Sequence, residues 1–275
     1  MTADEPLTVR RGEDLTTWPW IKMRMALGQV DELSAHVDIW NLEHPVVATP
    51  DVSDDRRIVE YRITEWTSPP VTHWSAIVGN AIASLRSAAD SFAWQIAHLD
   101  GKTPPNPKTV YFPMSKKPKV WKQRVDALGD VHPDLLGRFE DLRGAHDGQW
   151  LVAMSAIAEL NNTDKHKSPL QIMSLFEPAA LQGLIELPGG HGGMTMTPEA
   201  IREPRATQVG DVVLRVRFSG PITGASGTVR GAVVPLLDNE EDTFEDAVTL
   251  VRGMHNALWY GLHYLCTGAE LGRAC

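Results

Sequence analysis

The spacing of apolar residues changes twice along this chain. Up to about Pro169 they recur mostly every three to four positions, with an alternating stretch at Arg57 to Trp66 that puts Val59, Tyr61 and Ile63 on one side, and from Leu170 to Leu237 every two. The helical spacing then returns for the last stretch. A spacing near 3.6 buries one face of a helix, and a spacing of 2 buries one face of a strand. A chain with both, in separate blocks, folds as helices plus an antiparallel sheet, the α+β class.

The helical blocks can be drawn in some detail. About Trp18 to His44 reads as a first long helix, with Met23, Leu27, Val30, Leu33, Val37 and Trp40 along one face and Pro45 ending it. A second helix, about Thr72 to His98, has a stripe from Trp74 to Ile96 broad enough for a central element. Two more follow, about Pro133 to Arg143 and about Gln149 to Lys167. A last helix is expected over about Asp242 to Cys266, with its acidic start at the positive end of the helix dipole. It should fold back onto the first and central helices. Val46 to Thr49 and Arg57 to Trp66 read as extended pieces. Strands are expected at Gln171 to Phe176, Leu181 to Leu187, Gly193 to Thr197, Val212 to Phe218 and Thr228 to Leu237. Pro188-Gly-Gly-His-Gly-Gly193 reads as a hairpin loop. It lacks the Lys-Ser/Thr and following helix of a phosphate loop. With no clean linker, a single α+β domain of four or five helices and one sheet is expected, helical over about 15–168 and 242–267 and mainly β over about 170–237.

Charge sets limits on function. The 275 residues carry 35 acids and 26 Lys+Arg, a formal net charge of −9. This argues against a surface coated with nucleic-acid-binding charge. The total hides an asymmetry. Residues 101 to 125 hold seven bases, five prolines and no acid, leaving 19 bases against 35 acids elsewhere. Lys108, Lys116, Lys117, Lys119, Lys122 and Arg124 interleave there with Tyr111 and Trp121, and Thr109 to Phe112 reads as a short strand. Cations neutralise phosphates and aromatic rings stack on bases, so this segment is a candidate contact for RNA or DNA. The plainer alternative is a solvated loop that pairs with the protein's own acids.

Two polar constellations lie on helices. Arg86 and Asp90 share a face of the central helix and can pair, either as a structural ion pair or as the lining of a polar cleft. Near the end of the 149–167 helix stand Glu159, Asn161, Asn162, Asp164, Lys165, His166 and Lys167. Glu159, Asn162 and His166 fall on one helical face, where a carboxylate can orient an imidazole for acid–base work. An ordinary helix C-terminus also favours Lys, His and Asn. Arg86, Asp90, Asn162, Asp164 and His166 are the candidate catalytic residues.

The motifs Gly79-Asn-Ala-Ile-Ala-Ser-Leu-Arg-Ser-Ala-Ala-Asp-Ser91, Phe112-Pro-Met114 and Asn162-Thr-Asp-Lys-His-Lys167 resemble those of a group of uncharacterised bacterial and phage-borne proteins. Those proteins carry Gly-Asp…Leu-Arg-Ser-Ala-Leu-Asp-His and Asn-x-Asp-Lys-His-Arg in the same order. The resemblance covers about residues 75 to 170. The group's Arg-x4-His spacing is similar to that of HEPN-type ribonucleases, which cleave RNA, usually across a dimer. Here the histidine position is Ser91, which cannot serve as acid or base near neutral pH. The likeness therefore implies a degenerate relative, or one that borrows His166.

Nothing in the pattern asks for a metal or cofactor, and none is expected. The stripes His36, Trp40, His44 and His255, Trp259, His263 space their outer histidines about 12 Å apart, too far to share one ion. His-Glu-x-x-His, Cys-x-x-Cys and Gly-x-Ser-x-Gly are absent. Two cysteines, Cys266 and Cys275, suit a reducing compartment, and an acidic N-terminus does not suit a signal peptide, so a cytoplasmic protein without a membrane partner is expected. Three functions stay open: an RNA-directed protein of phage or defence context, a small-molecule protein or enzyme with an Arg/Asp/Asn/His cleft, and a non-catalytic oligomeric scaffold. A homodimer is compatible with each.

Overall fold

A computed structural model describes residues 18–166, 170–186, 195–200, 208–239 and 243–268. It shows the α+β class. The elements are α1 (Trp18–Glu43), β1 (Val46–Val52), β2 (Ile58–Glu65), α2 (Val71–Ala97), α3 (Pro118–Asp126), α4 (Pro133–Gly144), α5 (Gln149–His166), β3 (Ile172–Glu186), β4 (Met196–Ala200), β5 (Val212–Phe218), β6 (Gly224–Asn239), β7 (Thr243–Asp246) and α6 (Ala247–Thr267). The chain divides into two compact units. One takes the described parts of Met1–Glu32, Ala76–Leu170 and Val248–Cys275, and the other those of Leu33–Ser75 and Gln171–Ala247. No helix among the described residues is long and apolar enough to cross a membrane.

The second unit holds an antiparallel sheet in the order β3-β6-β1-β2-β5-β4, with β7 paired to β6. In β2 the alternation expected from the sequence is present, with Val59, Tyr61 and Ile63 buried. Two expected strands, 171–176 and 181–187, are one continuous β3, whose register shifts between Pro178 and Ala180. Proline has no N–H for the ladder, and a bulge accommodates it without ending the strand. Asn41 docks on β6 like a strand neighbour. Its Nδ2 donates to the Val233 carbonyl at 3.1 Å, and the Val233 N–H donates to its Oδ1 at 2.7 Å.

In the first unit α2 supplies the densest burial. Ile82, Leu85, Ala88, Ala89 and Phe92 are all at most 1% exposed. Phe112 is the hub of an aromatic cluster, with ring centroids 6.4 Å from Phe92, 5.7 Å from Phe139 and 6.3 Å from Trp150. Such edge-to-face pairs add about 0.5–1.5 kcal/mol each beyond area burial. α6 meets α1 through Arg252 and Asp31 at 2.9 Å. It meets α4 through the buried Arg138, whose Nη1 donates to the Leu265 carbonyl at 2.7 Å. Gly268 closes α6 at φ +63, where its N–H donates to the Tyr264 carbonyl.

Three expectations are corrected. Thr109 to Phe112 forms no strand: Pro107–Thr109 is a 3₁₀ turn, and Val110 and Phe112 point into the core. The basic segment also contains a helix, α3, started by Pro118 at its first turn. With Trp121 its one buried residue, it carries almost no helical stripe to read from sequence. The last helix begins at Ala247 because Thr243–Asp246 pair with β6 instead. Glu245 and Asp246 thus lie on a strand and not in a first helical turn. The loop at 188–193, Lys167 and Cys275 lie outside the described residues.

Two predictions follow from α6. A Cβ at Gly261 would stand 2.7 Å from Trp150 Nε1, which donates to the Ala257 carbonyl. Gly261→Ala gains at most about 1 kcal/mol of helix propensity but overpacks the indole, which costs about 1–3 kcal/mol. Urea unfolding of this variant should show a net loss, and a gain would remove the contact. Tyr264 donates to Asp141 at 2.7 Å, and desolvation together with that carboxylate pushes its phenol up to about 12. A raised folded pKa favours the protonated phenol, so this stability is complete below about pH 10 and is lost as pH climbs through 12. Tyr264→Phe should flatten the stability profile in that window, measured by denaturant midpoints against pH.

Candidate functional site

The site begins with one carboxylate on α2. Asp90 lies one turn beyond Arg86 and accepts from its Nε at 2.9 Å through Oδ2. Its other oxygen, Oδ1, accepts from the Phe112 backbone N–H at 3.0 Å. Both oxygens are therefore committed, one to a side chain and one to the main chain of the basic segment. The Arg86 side chain is 17% exposed and that of Asp90 26%, so the pair is partly shielded from water. Arg86 Nη1 also donates to Met114 Sδ at 3.0 Å. The segment from Tyr111 to Met114 is thus fastened to α2 at both its N–H and its sulfur.

That fastening forms one wall of a cleft of about 590 Å³. Arg86 and Asp90 lie on it with Tyr111, Met114 and Arg124. Tyr111 is flanked by two guanidinium groups, with Arg124 Cζ at 4.8 Å and Arg86 Cζ at 6.0 Å from its ring centre. The facing wall is α5, which presents Ser155, Glu159, Asn162 and, one turn apart, Asn161 and Lys165. Ser155 Oγ donates to Glu159 at 2.9 Å. The size falls in the usual range for small-molecule sites, but the lining is more polar than usual, with Phe112, Met114, Val120 and Ala158 its apolar members.

Several of these polar groups are uncommitted among the described residues. Asn161 is 6% exposed, and its Oδ1 is buried without a hydrogen-bond donor. An unpaired buried amide oxygen costs about 1–3 kcal/mol relative to a paired one. Lys165 and Asn162 are exposed, with no partner among the described residues. Arg124 donates to the Thr109 carbonyl at 3.4 Å but meets no carboxylate there. Three cations face two carboxylates, and one of the carboxylates is already paired within the wall. The cleft is therefore a net donor of positive charge.

The structure brings Arg86, Asp90 and Asn162 together from motifs about 75 residues apart. Asp164 goes elsewhere. Its Oδ1 accepts from the Leu170 N–H at 3.3 Å, and its carboxylate packs against Gly79, where a Cβ would come within 3.2 Å. The first motif's glycine thus accommodates the second motif's aspartate, and Asp164 serves the packing of the two helices and not the cleft. His166 ends α5, and its side chain lies outside the described residues. Trp121 is corrected from a base-stacking candidate to a core residue: it is fully buried, with Nε1 donating to Glu140 at 3.1 Å. Lys108, Lys116, Lys117, Lys119 and Lys122 are exposed, and Lys122 pairs with Asp126 at 3.0 Å.

Sequence reasoning placed Asn161 and Lys165 in the polar constellation but not among the catalytic candidates, and passed over Ser155. The signal for Ser155 was the polar spacing 155, 159, 162 beside an apolar 154, 157, 160 face, which is visible only once α5 is known to be half-covered. The histidine stripes are aromatic contacts: His36 stacks on His73 at 5.1 Å and Trp259 on His263 at 5.3 Å. Among the described residues no cluster of three or more His, Cys, Asp or Glu is placed to hold a metal ion.

The double commitment of Asp90 yields a prediction. Asp90→Ala should release the Phe112 N–H and lower stability by about 1–3 kcal/mol, the partial exposure keeping it below the cost of breaking a buried pair. Hydrogen exchange at the Phe112 amide should accelerate with it, and unchanged exchange would remove the anchor. No family model, no curated protein and no solved structure matches the chain, so the geometry of this cleft carries the functional reading.

Proposed function

We propose that the protein binds a small anionic ligand in the cleft between α2, α5 and the segment 111–124. The observation that carries this reading is the set of uncommitted donors converging there. Lys165 and Arg124 make no ion pair among the described residues and Arg86 Nη2 makes no hydrogen bond there, so three cations share the cleft with Glu159, held by Ser155, and with Asp90, already paired. A charge-assisted hydrogen bond from such groups contributes about 1.5–3 kcal/mol, more than a neutral one, and Arg suits planar oxyanions. The exposed Asn162 amide can donate to the anion, while the buried Asn161 Oδ1, an acceptor, would take a hydroxyl or N–H of the ligand. The role assigned to Arg86 and Asp90 is positional as well as electrostatic, because Asp90 holds the guanidinium in place.

A second reading is that RNA or DNA runs over the same segment. It is favoured by the exposed Lys108, Lys116, Lys117 and Lys119, which lie on the same stretch of chain as the cleft-lining Tyr111, Ser115 and Val120. Phosphate contacts of this kind weaken linearly in log salt. Acid–base cleavage is not part of the proposal, since Ser91 stands where the ribonuclease likeness has its histidine.

Calorimetric titration of the full chain with inorganic phosphate and pyrophosphate tests the main reading. Binding of pyrophosphate should weaken about tenfold or more in Lys165→Ala and in Arg124→Ala, the loss of one charged contact. No heat up to millimolar pyrophosphate at low salt, or variants that bind as the parent does, would sink it. Fluorescence anisotropy with a single-stranded RNA tests the second reading. Charge reversal at Lys116 and Lys117 should abolish a salt-sensitive signal that Lys165→Ala only reduces.

A further inference from the structure

We infer that the ligand is a nucleotide: its phosphate lies in the cationic cleft and its base against Trp94 in the groove next door. This rests on the anion reading above and specifies its ligand. The groove is about 450 Å³ and shares Arg86, Asp90, Tyr111 and Lys165 with the cleft, so the two are continuous across those side chains. Its character is different. Trp94 and Trp18 line it at 46% and 49% exposure, beside a 40% exposed Tyr111. Large apolar rings left half in water next to a cationic cleft are suited to a ligand that is flat at one end and anionic at the other.

The Trp94 ring is held ready for such a partner. His98, one turn on, lies with its ring centre 4.2 Å from that of the indole, and its Nδ1 lies 2.8 Å from the Trp94 carbonyl oxygen. A braced ring loses little rotamer freedom when a base stacks on it. The groove also carries neutral polar groups at the spacing of one helix face, Ser87 and Ser91 on α2, where a purely hydrocarbon ring would find no use for them. A heteroaromatic base has donors and acceptors along its edge that hydroxyls can meet. Ser91, the departure from the histidine-bearing pattern, thereby has a place in the site as a hydrogen-bonding wall. The arrangement of stacking ring beside cations is the one used for single nucleotides in strands as well as free ones.

The experiment is a set of titrations of the full chain followed by tryptophan fluorescence and calorimetry, with inorganic phosphate, adenosine monophosphate, adenosine and an eight-nucleotide oligoadenylate. The monophosphate should bind about ten- to hundred-fold more tightly than phosphate, the range expected for one stacked base. Trp94→Ala should bring the monophosphate down to the affinity of phosphate and leave phosphate itself unchanged, while Trp94→Phe retains part of the gain. The ring is half exposed, so these variants fold as the parent does. If phosphate binds but the base adds nothing, or if Trp94→Ala leaves the monophosphate as tight as before, the nucleotide inference fails and the anion site stands. If neither phosphate nor monophosphate binds, both fail. An oligoadenylate tighter than the monophosphate identifies a strand as the source of the nucleotide, and equal affinity identifies a free one; either supports the inference.

Discussion

The carboxylate of Asp90 is the constraint on which the first compact unit depends. One oxygen holds Arg86 and the other holds the Phe112 backbone. The second contact, together with the Arg86–Met114 sulfur bond, registers the segment 101–117 against α2. With it, Phe112 is delivered into the centre of the aromatic cluster, and Met114 reaches the Arg86 guanidinium. A segment with five prolines between 104 and 118 cannot build a ladder of its own backbone bonds. It is held by side chains at a few points and by one buried aromatic residue, and the cleft is the space it leaves against α5.

The same logic explains why two distant motifs belong together. Gly79 on α2 has no side chain because the Asp164 carboxylate occupies that space. Asp164 in turn accepts from the Leu170 N–H, four residues beyond the end of α5. The close approach sets α5 beside α2 at a point two turns from Arg86, so Asn161, Asn162 and Lys165 open onto the cleft. Packing and site geometry are consequences of one contact here. The polar residues that hold the helices, Asp164 and Asp90, are different from those left free for a ligand, Asn161 and Lys165.

The helices and most strands were legible because each buries one face continuously over several turns or residues. α1, α2 and β2 have the boundaries that their apolar spacing implies, within a residue or two. α3 was not legible, because a nine-residue helix with one buried side chain has no periodic stripe. Trp121 misled for a related reason. Its neighbours are lysines, so composition alone places it on a charged surface, whereas the helix rotates it into the core against Trp150 and gives its N–H to Glu140. The start of α6 was misplaced because acids before a helix suit its dipole equally well when they lie on a strand that ends where the helix begins.

By itself the sequence determined the α+β class, the long helices and the pairing of Arg86 with Asp90, since each depends on residues within a few positions of one another. Only the tertiary structure decided which polar residues share a space. That Asp90 would bind the backbone 22 residues away, that Asp164 would turn to Gly79, and that Lys165 would face Arg86 across a cleft are properties of contacts between elements. Local spacing determines which face a side chain occupies, and what lies opposite that face is set by packing.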